Sequence, residues 1–410
     1  MSSRLTAAAS RRVACRLVPL VAGASLILGA ASAPSVAATA DRTVPTSHPA
    51  TLLVKAQASL TSLTARRVAG NPLAGRPWGV YKGGAEMPWA PYAKATGANH
   101  VLLAKIALRP KATWFGAWVS NAQIASSVHE YIANAQAGNP NALVQMTVFR
   151  LVPWEQDACR RLPTAAEQAS YKLWTDRFAS AIGKAHTAII LQPDGPFALC
   201  VPGRSLIPSR LIAYSARVFS ALPNTSVYID AGAADWPAAG GQGGVNAAVR
   251  ILVAAGVQYA RGLALNGTHY SSTSAEVARG AAIVRALAAR GIRGKHVVVN
   301  TSSNGHPFVF GNYTGPDPNN AFVCQSATDN RTCVKLGIPP TTDVANPRWR
   351  LSATTNQLAR TYVDGYLWFP SQVSQADPAT EQRRSGLFQF GAASARARGP
   401  LLRLRRTGCP

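Results

Sequence analysis

The sequence predicts an α/β fold, a parallel sheet wrapped by helices and closed into a barrel. Three observations predict it. Short β-rich apolar runs alternate with amphipathic stretches of helical spacing from Asn71 to Phe369, and such alternation builds parallel strands joined by crossover helices. Hydrophobic residues make up 47% of the 410 positions, enough for a sizeable core, which excludes a disordered chain. No repeat of 20–50 residues is evident, which argues against a solenoid or propeller.

The elements follow in order. Residues 1–38 read as a secretion signal: Arg4, Arg11, Arg12 and Arg16 precede the apolar stretch Leu17–Ala31, and Ala31-Ser32-Ala33 or Val36-Ala37-Ala38 offers a cleavage site. The stretch falls short of the ~20 residues a membrane span needs. Residues 39–70 are Ser/Thr/Ala-rich and read as a linker. The apolar runs are Trp78–Tyr81, Val101–Ile106, Leu143–Leu151, Thr187–Leu191, Ser226–Ile229, Tyr259–Leu265, His296–Val299 and Tyr366–Phe369. Helices are expected near 120–137, 164–183, 207–221, 245–255, 274–290 and 353–361, with Thr164 and Glu167 as a capping box. The barrel is expected to span 71–382, and an Arg-rich tail fills 383–410.

Charge is lopsided, with 42 Lys and Arg against 17 Asp and Glu. The arginines are dispersed rather than grouped with aromatics, so nucleic-acid binding is not expected. The tail could meet an anionic cell-wall polymer or membrane surface, or stay solvated. No Walker loop or Rossmann glycine motif appears, and neither the cysteine nor the histidine spacing suits a metal, so no cofactor is expected. Beyond Cys15 of the signal, the five cysteines leave one without a partner in the chain, and two disulfides are expected of an exported protein.

Few acids make a short list of catalytic candidates. In a parallel barrel the chemistry sits at the C-terminal strand ends. Asp194 follows the 187–191 run, Asp230 closes the 226–229 run, and Glu155 and Asp157 follow the 143–151 run. Asp377 lies eight residues past the last run. Glu130, Glu167, Asp176 and Glu276 fall within helices and are expected to be solvated. Trp154, Trp236 and Trp368 neighbour the strand-end acids. Paired carboxyls with aromatic platforms suit glycosidic hydrolysis, in which one carboxyl protonates the leaving oxygen and another activates water.

Several segments resemble glycoside hydrolase family 6, the inverting cellobiohydrolases and endo-β-1,4-glucanases. They are Asn71-Pro72-Leu73-Ala74-Gly75, Trp114-Phe115-Gly116-Ala117-Trp118, Ile189-Ile190-Leu191-Gln192-Pro193-Asp194, Val227-Tyr228-Ile229-Asp230-Ala231-Gly232 with Trp236, Leu263-Ala264-Leu265-Asn266, Asn300-Thr301-Ser302-Ser303-Asn304-Gly305, and Asp364-Gly365-Tyr366-Leu367-Trp368. The matches run in order from about residue 71 to 380. The resemblance implies a distorted (β/α) barrel of about seven parallel strands with its cleft over their C-terminal ends. It implies Asp194 as general acid; Asp157, shifted by one from the family's position and in competition with Glu155, as the second Asp that keeps it protonated; and Asp377, also displaced by one, as the base or the acid that orients water. Asp230 is implied as a support, and Trp114, Trp236, Asn266 and Trp368 as sugar contacts. Cys159 is implied to pair with Cys200 and Cys324 with Cys333, leaving Cys409 single.

The chain departs from the family pattern at identifiable positions. Gln192 stands where Glu is usual, Phe149 where Tyr is, Ala233 where His is, and Ser303 where Arg is. The segment after Trp368 lacks the family's Lys, Gly and Glu. Two readings follow: a secreted, monomeric hydrolase of cellulose or a related β-glucan, and a relative that binds glucan without turning it over.

Overall fold

The computed structural model describes residues 70–369, apart from 85, 87, 319–320 and 325–328 and the side chains of Glu155 and Gln156. The expected signal, nearly all of the linker, Asp377, Cys409 and the tail lie outside the described residues. Strands β1 (Thr113–Gly116), β2 (Val144–Phe149), β3 (Thr187–Leu191), β4 (Thr225–Asp230), β5 (Gly262–Leu265), β6 (His296–Asn300) and β7 (Val363–Leu367) pair in that order. Every pairing is parallel. The sheet curls until its edges approach, and the Ala112 N–H donates to the Trp368 carbonyl at 2.8 Å across the seam.

Helices α1 (Gly97–Ala107), α2 (Ile124–Gln136), α3 (Ala165–Ile182), α4 (Ile207–Ser220), α5 (Gly244–Ala254), α6 (Thr273–Ala289) and α7 (Ala353–Tyr362) accompany the strands. The expected capping box starts α3: Thr164 Oγ1 accepts from the Glu167 N–H at 3.2 Å, and Glu167 Oε2 from the Thr164 N–H at 2.8 Å. Strand alternation divides the core in two. Ile189, Leu191, Val227, Ile229, Val297 and Val299 face the helices. Ala188, Ile190, Tyr228, Ala264, Val298 and Leu367 fill the barrel interior with Leu73 and Phe369. Side chains two residues beyond the inward set, those of Gln192, Asp230, Asn266 and Asn300 at the strand ends, therefore continue the interior face toward the rim.

Three expectations are corrected. Val101–Ile106 is helical, within α1, where Leu103, Ile106 and Ala107 are buried at helical spacing. A short apolar run does not reveal its period, and here the run belongs to a helix. Trp78–Tyr81 contributes a single bridge, Trp78 to Leu143, rather than a strand. The strand that begins the sheet is instead Thr113–Gly116, too short to stand out as a run.

The opposite end of the barrel is locked by charge. Arg261 donates through Nε and Nη2 to Asp364 at 2.8 and 2.9 Å, the Tyr228 hydroxyl donates at 2.7 Å, and His296 Nδ1 lies 3.2 Å away. No helix among the described residues is long and apolar enough to cross a membrane.

Candidate active site

Asp194 stands at the C-terminal end of β3 with φ of 63°. Gln192 and Asn266 at the ends of β3 and β5 also adopt positive φ. Left-handed backbone at a non-glycine residue costs free energy and persists where the surrounding structure holds it. Thr268, two residues beyond Asn266, donates its hydroxyl to Asp194 Oδ1 at 2.8 Å. Trp154 Nε1 donates to the Asp194 carbonyl at 3.1 Å. Gly195 follows by necessity, since a β-carbon there would drive into the Asp230 carbonyl.

The carboxyl that the structure sets beside this turn is Asp230, only 1% exposed. Its Oδ1 accepts from the Gly195 N–H at 3.1 Å and the Gly232 N–H at 2.9 Å. Burial raises its pKa well above the ordinary carboxylate range, and the Asp194 charge adds to the rise. Asp230 thus fixes the backbone that presents Asp194. Asp157 lies at the end of a helical turn after β2, half-exposed and 3.9 Å from both Arg160 and Arg161.

The expected sugar contacts separate. Trp236 lines the rim in the loop after β4, edge-on to Phe197 and parallel to His269. Trp114 is 6% exposed and packs against Phe149, while Trp368 is 1% exposed and donates to the Ile338 carbonyl at 2.9 Å. Both indoles are core side chains in this conformation. Asn266 is buried too: its Nδ2 donates to the carbonyls of Ser271 and Asn300, and its Oδ1 accepts from the Ser271 N–H, each at 3.2 Å. Its carboxamide closes the turn that carries Thr268.

Glu276 requires a correction. It was expected on a solvated helix face, yet it is fully buried in the first turn of α6. Its Oε1 accepts from the Ala234 N–H at 2.8 Å, and burial raises its pKa to about 8. Sequence reasoning also passed over Thr268, Asp235 and His269. The last two form a pair 2.8 Å apart, and a signal existed, since both lie within or beside the resembling segments.

Disulfides staple the rim. Cys159–Cys200 ties the segment after β2 to the segment after β3, and Cys324–Cys333 closes a loop after β6.

Fold and site together define the class of protein, a parallel α/β barrel whose C-terminal rim brings carboxyls and aromatic rings together. The model of the glycosyl hydrolases family 6 matches residues 82–349, and the chain belongs to that family. It is 31% identical over 212 residues to endoglucanase A of Cellulomonas fimi, covering 52% of this chain and 43% of that protein. It is 30% identical over 227 residues to endoglucanase 1 of Streptomyces halstedii, covering 53% and 66%. The chain thus spans less than half of the first relative's length and just under two thirds of the second's. Among solved structures, the endoglucanase Cel6 of Mycobacterium tuberculosis, in complex with a thio-linked methyl-cellobiosyl cellobioside, superposes with a TM-score of 0.58. The identity is 25%, over 80% of this chain and 99% of that one. A family 6 glycoside hydrolase of Coprinopsis cinerea shares the fold with a TM-score of 0.56 at 20% identity, over 79% of this chain and 97% of that one.

Proposed function

We propose that the chain hydrolyses β-1,4-glycosidic bonds of cellulose or a related glucan with inversion, as an exported, monomeric protein. The observation that carries this reading is the Asp194 carboxyl, held at the end of β3 by Thr268 and backed by buried Asp230. Asp194 is the general acid that protonates the leaving oxygen. Asp377, outside the described residues, is the proposed base; an inverting mechanism asks for ~6.5–9.5 Å between acid and base, which leaves room for water. Asp157 adds negative charge at the rim, and Trp236 offers an indole face to a sugar ring, with Trp114, Asn266 and Trp368 behind the cleft wall. The experiment compares wild type, Asp194→Ala and Asp377→Ala on cello-oligosaccharides and amorphous cellulose, measuring released sugar and bound protein. Wild-type release that falls by ~10²–10⁴ in Asp194→Ala, with binding retained, supports the assignment. Release untouched by Asp194→Ala rejects it.

A second reading, glucan binding without turnover, draws on Ala233, Ser303 and the altered segment after Trp368. Binding by wild type without sugar release would favour it.

A further inference from the structure

The loops after β4, β5 and β6 meet at a pair that the proposed chemistry does not use. His269 Nδ1 and Asp235 Oδ1 are 2.8 Å apart, with side chains only 11% and 12% exposed. Asp235 Oδ2 accepts from the Phe310 N–H at 2.9 Å. Burial opposes the Asp235 charge, but the His269 contact and the Phe310 amide outweigh it and hold the pKa at about 2. The carboxylate is therefore ionised at working pH and only accepts, so Nδ1 carries the proton. The imidazole plane is fixed as well. Trp236 stacks on it at 5.2 Å and 6°, and Phe310 at 4.4 Å and 22°. Both rings lie near-parallel to the imidazole and restrain its plane.

Trp236 needs such a brace. Its backbone is tied to Ala233, the Trp236 N–H donating at 3.2 Å and its carbonyl accepting at 2.7 Å, so what remains to be fixed is the rotation of the indole about its side-chain bonds. Among the described residues, the aromatic neighbours of the Trp236 ring are the Phe197 edge and the His269 face. We propose that His269, oriented by Asp235, is the positioning residue that holds Trp236 as a preformed wall for a β-linked glucose ring. This rests on the glucan reading of the rim. An indole ordered before binding avoids the loss of rotamer freedom on binding, which is worth roughly 3–10-fold in affinity.

The test titrates wild type, Asp235→Ala, Asp235→Asn, His269→Ala and His269→Phe with cellohexaose by calorimetry, with kcat and KM measured beside it. Asp235→Ala and His269→Ala are expected to raise Kd and KM by roughly 3–10-fold, more than they lower kcat. Asp235→Asn, which keeps an acceptor, and His269→Phe, which keeps the stack, should recover part of the loss. These two also decide the matter if the alanine variants do not fold. Variants that melt earlier but keep wild-type Kd and KM would reduce the pair to packing and overturn the proposal. So would a wild type without saturable binding. A wild type that binds cellohexaose but releases no sugar fails the hydrolytic reading alone, because the Kd series still decides the role of His269.

Discussion

The Thr268 hydroxyl donates to Asp194 Oδ1 across 2.8 Å, joining the turn after β5 to the carboxyl after β3. One carboxyl oxygen is thereby given a fixed partner. Thr268→Val keeps the shape and removes the donor, so the loss should match one hydrogen bond of ~1 kcal/mol, or roughly five-fold in kcat. Thr268→Ser should stay near wild type. Steady-state kinetics on a soluble cello-oligosaccharide distinguish the two.

Asp230 gives a second pair of contrasting variants. Its raised pKa, from burial first and the Asp194 charge second, favours the neutral form that Asn imitates. Asp230→Asn should retain an acceptor for the Gly195 and Gly232 amides and fold close to wild type at neutral pH. Asp230→Ala leaves both amides without that acceptor, at ~1–3 kcal/mol each. Urea midpoints read the difference directly.

At the far end of the barrel, Asp364 accepts from Tyr228 and from two nitrogens of Arg261. Asp364→Ala strips the guanidinium of its carboxylate inside the core. Removing one partner of such a buried pair costs ~3–5 kcal/mol, because the remaining charge is left without its counter-ion. The expected outcome is a large fall in melting temperature with wild-type kcat well below the transition, since the network lies away from the rim.

The sequence made the helices and most strands legible for a physical reason. Between 187 and 300 the runs are bounded by loops and have helices of clear 3.6 periodicity between them, so Thr187–Leu191 was read without error. The misread runs carry no such period: Val101–Ile106 is apolar except for Lys105, and its α1 shows its face only once Val101 is seen to be exposed. The place of Asp194 just beyond β3 was legible because it sits in a strand-end motif. Thr268 and the Asp235–His269 pair were not: they adjoin the resembling segments, but Thr268 lies 74 residues from Asp194 and His269 lies 34 from Asp235, so no local pattern joins them. Glu276 looked like any acid on a helical first turn. Its burial depends on the β4 loop folding over α6, which no local pattern encodes.

That burial sets the pH dependence of stability. Glu276 titrates at about 8 in the folded protein against an ordinary 4.5, with burial as the leading cause and the Asp235 and Asp230 charges adding to it. Between those values the native state holds a proton that the unfolded chain has released, so stability must fall as pH rises. Its contribution is fully present below about 4.5 and lost as pH climbs through about 8. Each unit of displaced pKa corresponds to ~1.4 kcal/mol, so the loss across the window amounts to a few kcal/mol at most. Glu276→Gln keeps the Oε1 acceptor for the Ala234 N–H and cannot ionise. Melting temperatures of the variant should decline less between pH 5 and 8 than those of wild type. Parallel curves for the two proteins would mean that Glu276 is already ionised in the native state, with its charge met by Arg279, whose pull on it opposes burial.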